Sequence, residues 1–296
     1  MTDHLRQGVG LRLLAAFLIT AMSAVIHAAA QDIPIGQIIF WRSAVALIPI
    51  CIYMALRGEF PAAIATKRPR LHIMRSLFGA ASMAMSFISL AYLPVANAQA
   101  LGYLAPVLTL PLAAVLLGER LTRGVILAVG LGFAGVIAML HEALELPGEG
   151  ALIGIIAGLG YALTMAFVRV HIKAMTATER SSTIAFWFAA VGALIGLATW
   201  PFGWAALTPD ALALLTLAGL LGGLAHIAAT EATARAPVST LAPFDFTGLV
   251  WALGFDALLF GVLPGAWGMI GVAAIAAAAL IVTFGGAPAR QILRAR

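Results

Sequence analysis

"IGQIIFWRSAVALIPICIYM", Ile35–Met54, is an apolar run of about twenty residues with a fixed positive charge, Arg42, inside it. At about 1.5 Å per residue such a run crosses the roughly 30 Å hydrocarbon core of a bilayer as one α-helix. It therefore predicts a transmembrane span and raises the question of why a chain would keep an arginine there.

The rest of the chain agrees with a membrane reading. Hydrophobic residues make up 62% of the 296 residues and charged residues only 10%, against about 25% charged in ordinary soluble domains. Mean hydropathy is +1.04. Helix-length apolar segments separated by polar or Pro/Gly punctuation fall at about 10–30, 35–56, 71–93, 96–117, 123–140, 150–170, 181–200, 210–229, 238–260 and 266–284. These predict ten spans with no soluble domain between them. Pro94, Pro237 and Pro264 mark tight turns, because proline lacks the amide donor that a continuing helix needs.

Lys and Arg fall on alternate connections. Arg6 and Arg12 flank the first segment, and Arg57, Lys67, Arg68, Arg70 and Arg75 fall at the second-to-third connection. Later connections on the same side hold Arg120 and Arg123, then Arg169, Lys173 and Arg180, then Arg235, with Arg290, Arg294 and Arg296 at the C-terminal end. That accounts for sixteen of the seventeen basic residues, and the opposite connections hold only Asp32, Glu142, Glu145, Glu149 and Asp210. The positive-inside rule then puts both termini in the cytoplasm and the protein in the inner membrane as a multi-pass chain. The formal charge of +5 is topological and predicts no nucleic-acid partner. The first segment also imitates a secretory signal peptide, but its apolar part exceeds the usual 7–15 residues of such a leader, and its removal would spoil the charge alternation.

Sliding the chain along itself by about 143–146 positions aligns "FWRSAV" at Phe40–Val45 with "FWFAAV" at Phe186–Val191, and Pro94-Val95 with Pro237-Val238. This predicts two halves, 1–145 and 146–296, of five spans each. An odd number of spans inserts the second copy upside down, and inverted repeats of this kind surround midplane sites in secondary transporters.

The arginine of "FWRSAV" and the passage "LAYLPVANAQALGYLAPVLTLPLAAVLLGERLTRG" (90–124), with its Pro/Ala turn, mid-span Pro106 and closing "LLGE" at Glu119, resemble the EamA type of the drug/metabolite transporter superfamily. The resemblance implies ten helices in two inverted repeats around a central cavity, and transport of small organic metabolites by alternating access. The second half departs from the pattern: Gly261 is followed by Val-Leu-Pro where the first half has Glu119, and Leu249 stands where Pro106 would recur.

A charge near the centre of a membrane helix costs on the order of 2.5–3.5 kcal/mol on insertion scales, so Arg42 should be paired or face a wet cavity. It either ties helices together through backbone carbonyls or meets substrate. Depth counting places Arg42, His27, Asn97, Gln99 and Asp256 in one half of the membrane, with Asp256 the nearest counter-ion, and Trp187, His226, Glu231 and Asp245 in the other. His226 and Asp245 flank the turn at Pro237 at similar distances and could touch, which makes Asp245 a candidate for proton coupling. Glu231 lies four residues before Arg235, the spacing of a surface ion pair. Tyr103 and Trp187, near mid-membrane, offer rings on which a planar molecule could stack, and Tyr161 stands one turn from Thr164. The expected substrate contacts are thus Arg42, Gln99, Tyr103, Trp187, His226, Asp245, Phe246, Tyr161 and His27, with Asp245, Asp256 and Pro106 for coupling or gating.

GxxxG spacings at Gly154/Gly158, Gly219/Gly223 and Gly261/Gly265 predict close packing inside the chain more than a dimer face, although a homo-oligomer stays open. A lone cysteine, Cys51, offers neither disulfide nor cysteine metal site, and no cofactor is expected. A membrane-embedded enzyme acting on a lipid or prenyl substrate is the competing reading; HExxH, GxSxG, an Asp-rich diphosphate motif and a Walker A loop are all missing from the sequence.

Overall fold

The computed structural model describes residues 3–66, 68–105, 108, 123–145, 150–175, 179–235, 244–245 and 247–285. Pro106, Phe246, Glu119 and the turn at Pro237 lie outside them. The described residues are helical, without strands, and each predicted segment meets a helix: α1 (Asp3–Ala29), α2 (Ile35–Leu56), α3 (Pro69–Tyr92), α4 (Val95–Gly102), α5 (Arg123–Glu145), α6 (Ala151–Met175), α7 (Ser181–Leu197), α8 (Pro209–Arg235), α9 (Thr247–Phe255) and α10 (Ala266–Gly285). Within these, α1, α2, α3, α6, α7 and α8 carry stretches long and apolar enough to cross a membrane.

The break between α3 and α4 follows from Pro94. Leu93 and Pro94 are extended, with ψ near 150°, because the proline ring disfavours helical geometry at the residue before it. The chain restarts at Val95, whose first amides need an acceptor from elsewhere. After α9 the helix widens into a π-turn, Asp256–Phe260, closed by Gly261 at φ +66°, a left-handed conformation that glycine adopts without a Cβ clash.

Ile48, Leu56, Ile137, Val250 and Leu258 are large, apolar and exposed, as side chains facing lipid should be. Where helices meet, small residues take over. The two glycines of Gly219/Gly223 lie against Val45, Ala46 and Pro49 of α2, and those of Gly154/Gly158 against Leu93 and Leu101. Both pairs pack within the chain, where backbone approach and van der Waals contact replace the hydrophobic effect as the adhesive.

Helix pairing follows a pattern. Helix α1 packs on α8 and α9, α6 packs on α3 and α4, and α2 and α3 reach α8 and α7 respectively. Replacing each helix by the one five further along turns α1/α8 into α6/α3, α1/α9 into α6/α4 and α2/α8 into α7/α3. The pairs α2/α7, α4/α9 and α5/α10 map onto themselves.

Candidate functional site

Between α1, α2, α3, α6, α7 and α8 lies a cavity of about 180 Å³. Its polar floor is formed by Arg42 from α2, Arg75 from α3 and His226 from α8, and its walls by Met22, Met83, Phe87, Tyr161, Met165 and Phe188. Residues from both 1–145 and 146–296 line it.

Arg42 and Arg75 are only 4% and 7% exposed. Their guanidinium carbons sit 5.8 and 4.1 Å from the centroid of the same Phe188 ring, within the range of cation–π attraction. Arg42 Nη2 donates to His226 Nε2 at 3.1 Å. That geometry makes Nε2 an acceptor and leaves the imidazole proton on Nδ1. Nε and Nη1 of both arginines are buried without a hydrogen-bond partner among the described residues. Space for these side chains comes from missing ones: a methyl at Gly79 would overlap Nη1 of Arg75, and one at Gly222 would stand 3.0 Å from Nε of Arg42.

The carboxylates expected near Arg42 and His226 are engaged elsewhere. Asp256, fully buried, accepts the amides of Val95 and Ala96 at 2.9 and 2.7 Å. It caps the start of α4, where a negative charge also meets the positive end of the helix dipole. The expected Arg42–Asp256 pair is therefore replaced by Arg42–His226, which also overturns the assignment of Arg42 and His226 to opposite depths. The expected His226–Asp245 contact does not form either. Asp245 takes Arg12 of α1 in a two-pronged ion pair, Nη2 to Oδ2 at 2.5 Å and Nε to Oδ1, while its backbone carbonyl accepts the Tyr103 hydroxyl at 2.5 Å.

Other expected contacts are likewise committed to structure. Gln99 donates to Ser23 at 3.1 Å. Trp187 donates its indole N–H to the Ile64 carbonyl at 2.9 Å, which ties α7 to the short turn Ala62–Ile64 and takes Trp187 away from the cavity. Nδ1 of His27 meets the Leu90 carbonyl, and its ring is edge-on to Phe260 at 4.7 Å. Glu231 pairs with Arg235 as its spacing predicts, and also takes Tyr53 and Arg57. Of the expected contacts, the cavity gathers Arg42, Tyr161 and His226.

Arg75 was missed. It sits beside Arg68 and Arg70 in a basic stretch that suits a cytoplasmic connection, yet α3 begins at Pro69 and carries Arg75 nearly two turns in. The available signal was its spacing from Gly79 and Ser82, four and seven residues on, which share its helical face.

A larger recess of about 600 Å³ lies at the end of the bundle where α1 finishes and α3 meets α4, against His27, Tyr92, Pro94, Gly150, Asp256 and Phe260. Its ionisable groups, His27 and Asp256, already bind backbone. The opposite end is laced by polar ties: Arg12–Asp245, Glu231 with Tyr53, Arg57 and Arg235, Ser182 donating to Glu59 at 2.8 Å, and Thr66 donating to Glu179 at 3.0 Å.

A helical bundle with an apolar exterior and six helices long and apolar enough to cross a bilayer defines a multi-pass membrane protein, here with a cavity bearing buried cations. Residues 6–141 match the model of the EamA-like transporter family. The chain is 26% identical to the pseudopaline exporter of Pseudomonas aeruginosa over 95% of this chain and 97% of that one. It is 29% identical to the riboflavin transporter of Rhizobium johnstonii over 84% and 81%, and 24% identical to the S-adenosylmethionine uptake transporter of Rickettsia bellii over 83% and 81%. A crystal structure of a protein sharing 19% of its sequence superposes with TM-score 0.67 over 97% of this chain and 99% of its own, a likeness of fold alone.

Proposed function

We propose that the chain is a secondary transporter in the inner membrane that moves a small organic metabolite, of the amino acid, amine or flavin-like class, by alternating access. Its ten helices form two inverted five-helix halves, 1–145 and 146–296, with both termini in the cytoplasm. The observation that carries this reading is the cavity, whose lining comes from both halves and whose polar floor is buried. The exchange pattern of the helix pairs supports it, because a two-fold relation between halves predicts that pairs map onto pairs. The relatives named for pseudopaline, riboflavin and S-adenosylmethionine support an organic solute.

In the conformation described, the polar ties close the end bearing Arg12 and Arg57, which the charge rule assigns to the cytoplasm. Opening that end requires Arg12 and Asp245 to part and α1 to leave α9, while the paired helices α3/α4 and α8/α9 rock against the rest. The groups that could carry a proton, Asp245, Asp256 and His226, all hold partners in this state, so coupling to protons would require their exchange during the cycle.

The test is reconstitution into liposomes with labelled amino acids, amines and flavins, with and without a pH gradient. Saturable flux of at least one compound, lost in Arg42→Ala, is the expected result; absence of flux for every compound counts against transport, and flux unaltered in Arg42→Ala removes this cavity from the path.

A further inference from the structure

We propose that the cavity takes its substrate by an anionic head, a carboxylate seated between the guanidinium groups of Arg42 and Arg75, with the apolar body of the molecule against Tyr161, Phe87 and the methionines. The inference rests on the transport reading and narrows its substrate class.

Two guanidinium groups over one phenyl ring, both more than nine-tenths buried, are like charges in a poorly solvated place. A buried charge is tolerated when it is paired and hydrogen-bonded, and is costly otherwise. Neither arginine meets a carboxylate among the described residues, since Asp245, Glu231, Glu59, Glu179 and Asp256 are held by other groups. Among the described residues, the one hydrogen bond that relieves Arg42 goes to a neutral ring nitrogen. Four buried N–H-bearing nitrogens, Nε and Nη1 of each residue, thus find no acceptor among the described residues.

The missing component is an anion with several acceptor atoms. A carboxylate supplies two coplanar oxygens that match the guanidinium fork. The cavity, at about 180 Å³, suits a compact molecule, and its thioether and aromatic walls suit an apolar or planar remainder. An amine without a carboxylate would bring a third positive charge to the same place. Among the classes proposed above, the site therefore favours acids and amino acids.

Phenylacetate, with its neutral isostere phenylacetamide, the cation phenethylamine and phenyl phosphate, provides a matched probe set. Thermal unfolding of the full-length protein in detergent should show phenylacetate stabilising at a half-saturating concentration about tenfold below that of the amide, and phenethylamine without effect. Arg42→Gln and Arg75→Gln should abolish the preference, and Arg75→Lys should keep part of it. Without any probe Arg75→Gln should unfold at a higher temperature than the natural protein, because one of two like charges is gone, an effect that a purely structural arginine would reverse.

Equal stabilisation by acid and amide, a preference that survives both glutamine variants, stabilisation by phenyl phosphate alone, or no stabilisation by phenylacetate would each overturn the assignment. Flux assays separate this from the parent reading. Liposome uptake of neutral or cationic compounds with no preference for acids sinks the anion site and leaves transport standing, whereas carboxylate binding without flux of any compound supports the site and counts against transport.

Discussion

Nη2 of Arg42 and Nε2 of His226, 3.1 Å apart, join α2 to α8 across the cavity floor. The bond has a direction: the arginine can only donate, so the histidine must accept. Replacing His226 by leucine removes the one acceptor that Arg42 has among the described residues, and a hydrogen bond to a charged group contributes about 1.5–3 kcal/mol. His226→Leu should therefore lower the unfolding midpoint and reduce flux together. His226→Gln, whose carbonyl can accept, should recover much of both. Unfolding monitored by circular dichroism in detergent and uptake in liposomes measure the two effects; equal behaviour of Leu and Gln variants would show that the bond contributes nothing.

Asp256 makes a second, purely structural prediction. Its two oxygens each accept one amide at the start of α4, so Asp256→Asn presents an NH2 group to a backbone N–H that needs an acceptor. One buried donor is left unsatisfied, at about 1–3 kcal/mol. Asp256→Ala, which removes both acceptors, should cost more, and neither change should alter the substrate preference of any protein that remains folded. A shift in specificity without loss of stability would place Asp256 in the transport path instead.

These two residues mark what the sequence could and could not reveal. The apolar helices were legible because the bilayer fixes their length, six of them reaching it among the described residues, and the α3–α4 break because Pro94 stops a helix for a local reason. Arg42 was conspicuous because nothing around it is charged. Partners were not legible. Depth counting places a residue along the membrane normal and says nothing about azimuth, so it matched Arg42 with Asp256 and His226 with Asp245, when the helix packing matches Arg42 with His226 and Asp245 with Arg12. Arg75 was hidden by company: beside Arg68 and Arg70 it read as one more topological charge, and only the facing of α3 separates it from them. Trp187 had the chemistry of a stacking platform but spends its N–H on Ile64.

The contact of Gly223 with α2 predicts a packing defect. A Cβ there would lie 2.9 Å from the Ala46 carbonyl oxygen, and backbone cannot swing aside as a side chain can. Gly223→Ala should push α8 away from α2 and lower stability by about 1–3 kcal/mol, the usual penalty for overpacking. Gly130, whose Cβ would meet nothing within 4 Å, provides the control: Gly130→Ala should be neutral or slightly stabilising, since alanine favours a helix by up to about 1 kcal/mol. Thermal midpoints of the two variants side by side decide it.

The Arg12–Asp245 pair predicts a change of conformation more than of stability. Each side chain is about one-fifth exposed (21% and 22%), so solvent screening keeps the stability contribution near 1 kcal/mol or below. Yet the pair links α1 to the start of α9 at the end that must open in the proposed cycle. Breaking it should shift the population toward the state open at that end, because a ligand or mutation moves a two-state equilibrium only by its differential effect on the two states. Asp245→Asn and Arg12→Gln should therefore raise the labelling rate of a cysteine placed at Ala16 by a membrane-impermeant maleimide applied from the cytoplasmic face, while unfolding midpoints barely move. The exchanged double variant, Arg12→Asp with Asp245→Arg, should return labelling toward the natural rate. The same proteins separate latch from proton carrier: a latch leaves the response to a pH gradient intact in Asp245→Asn, whereas loss of that response with labelling unchanged would make Asp245 a coupling group and remove it from the gate.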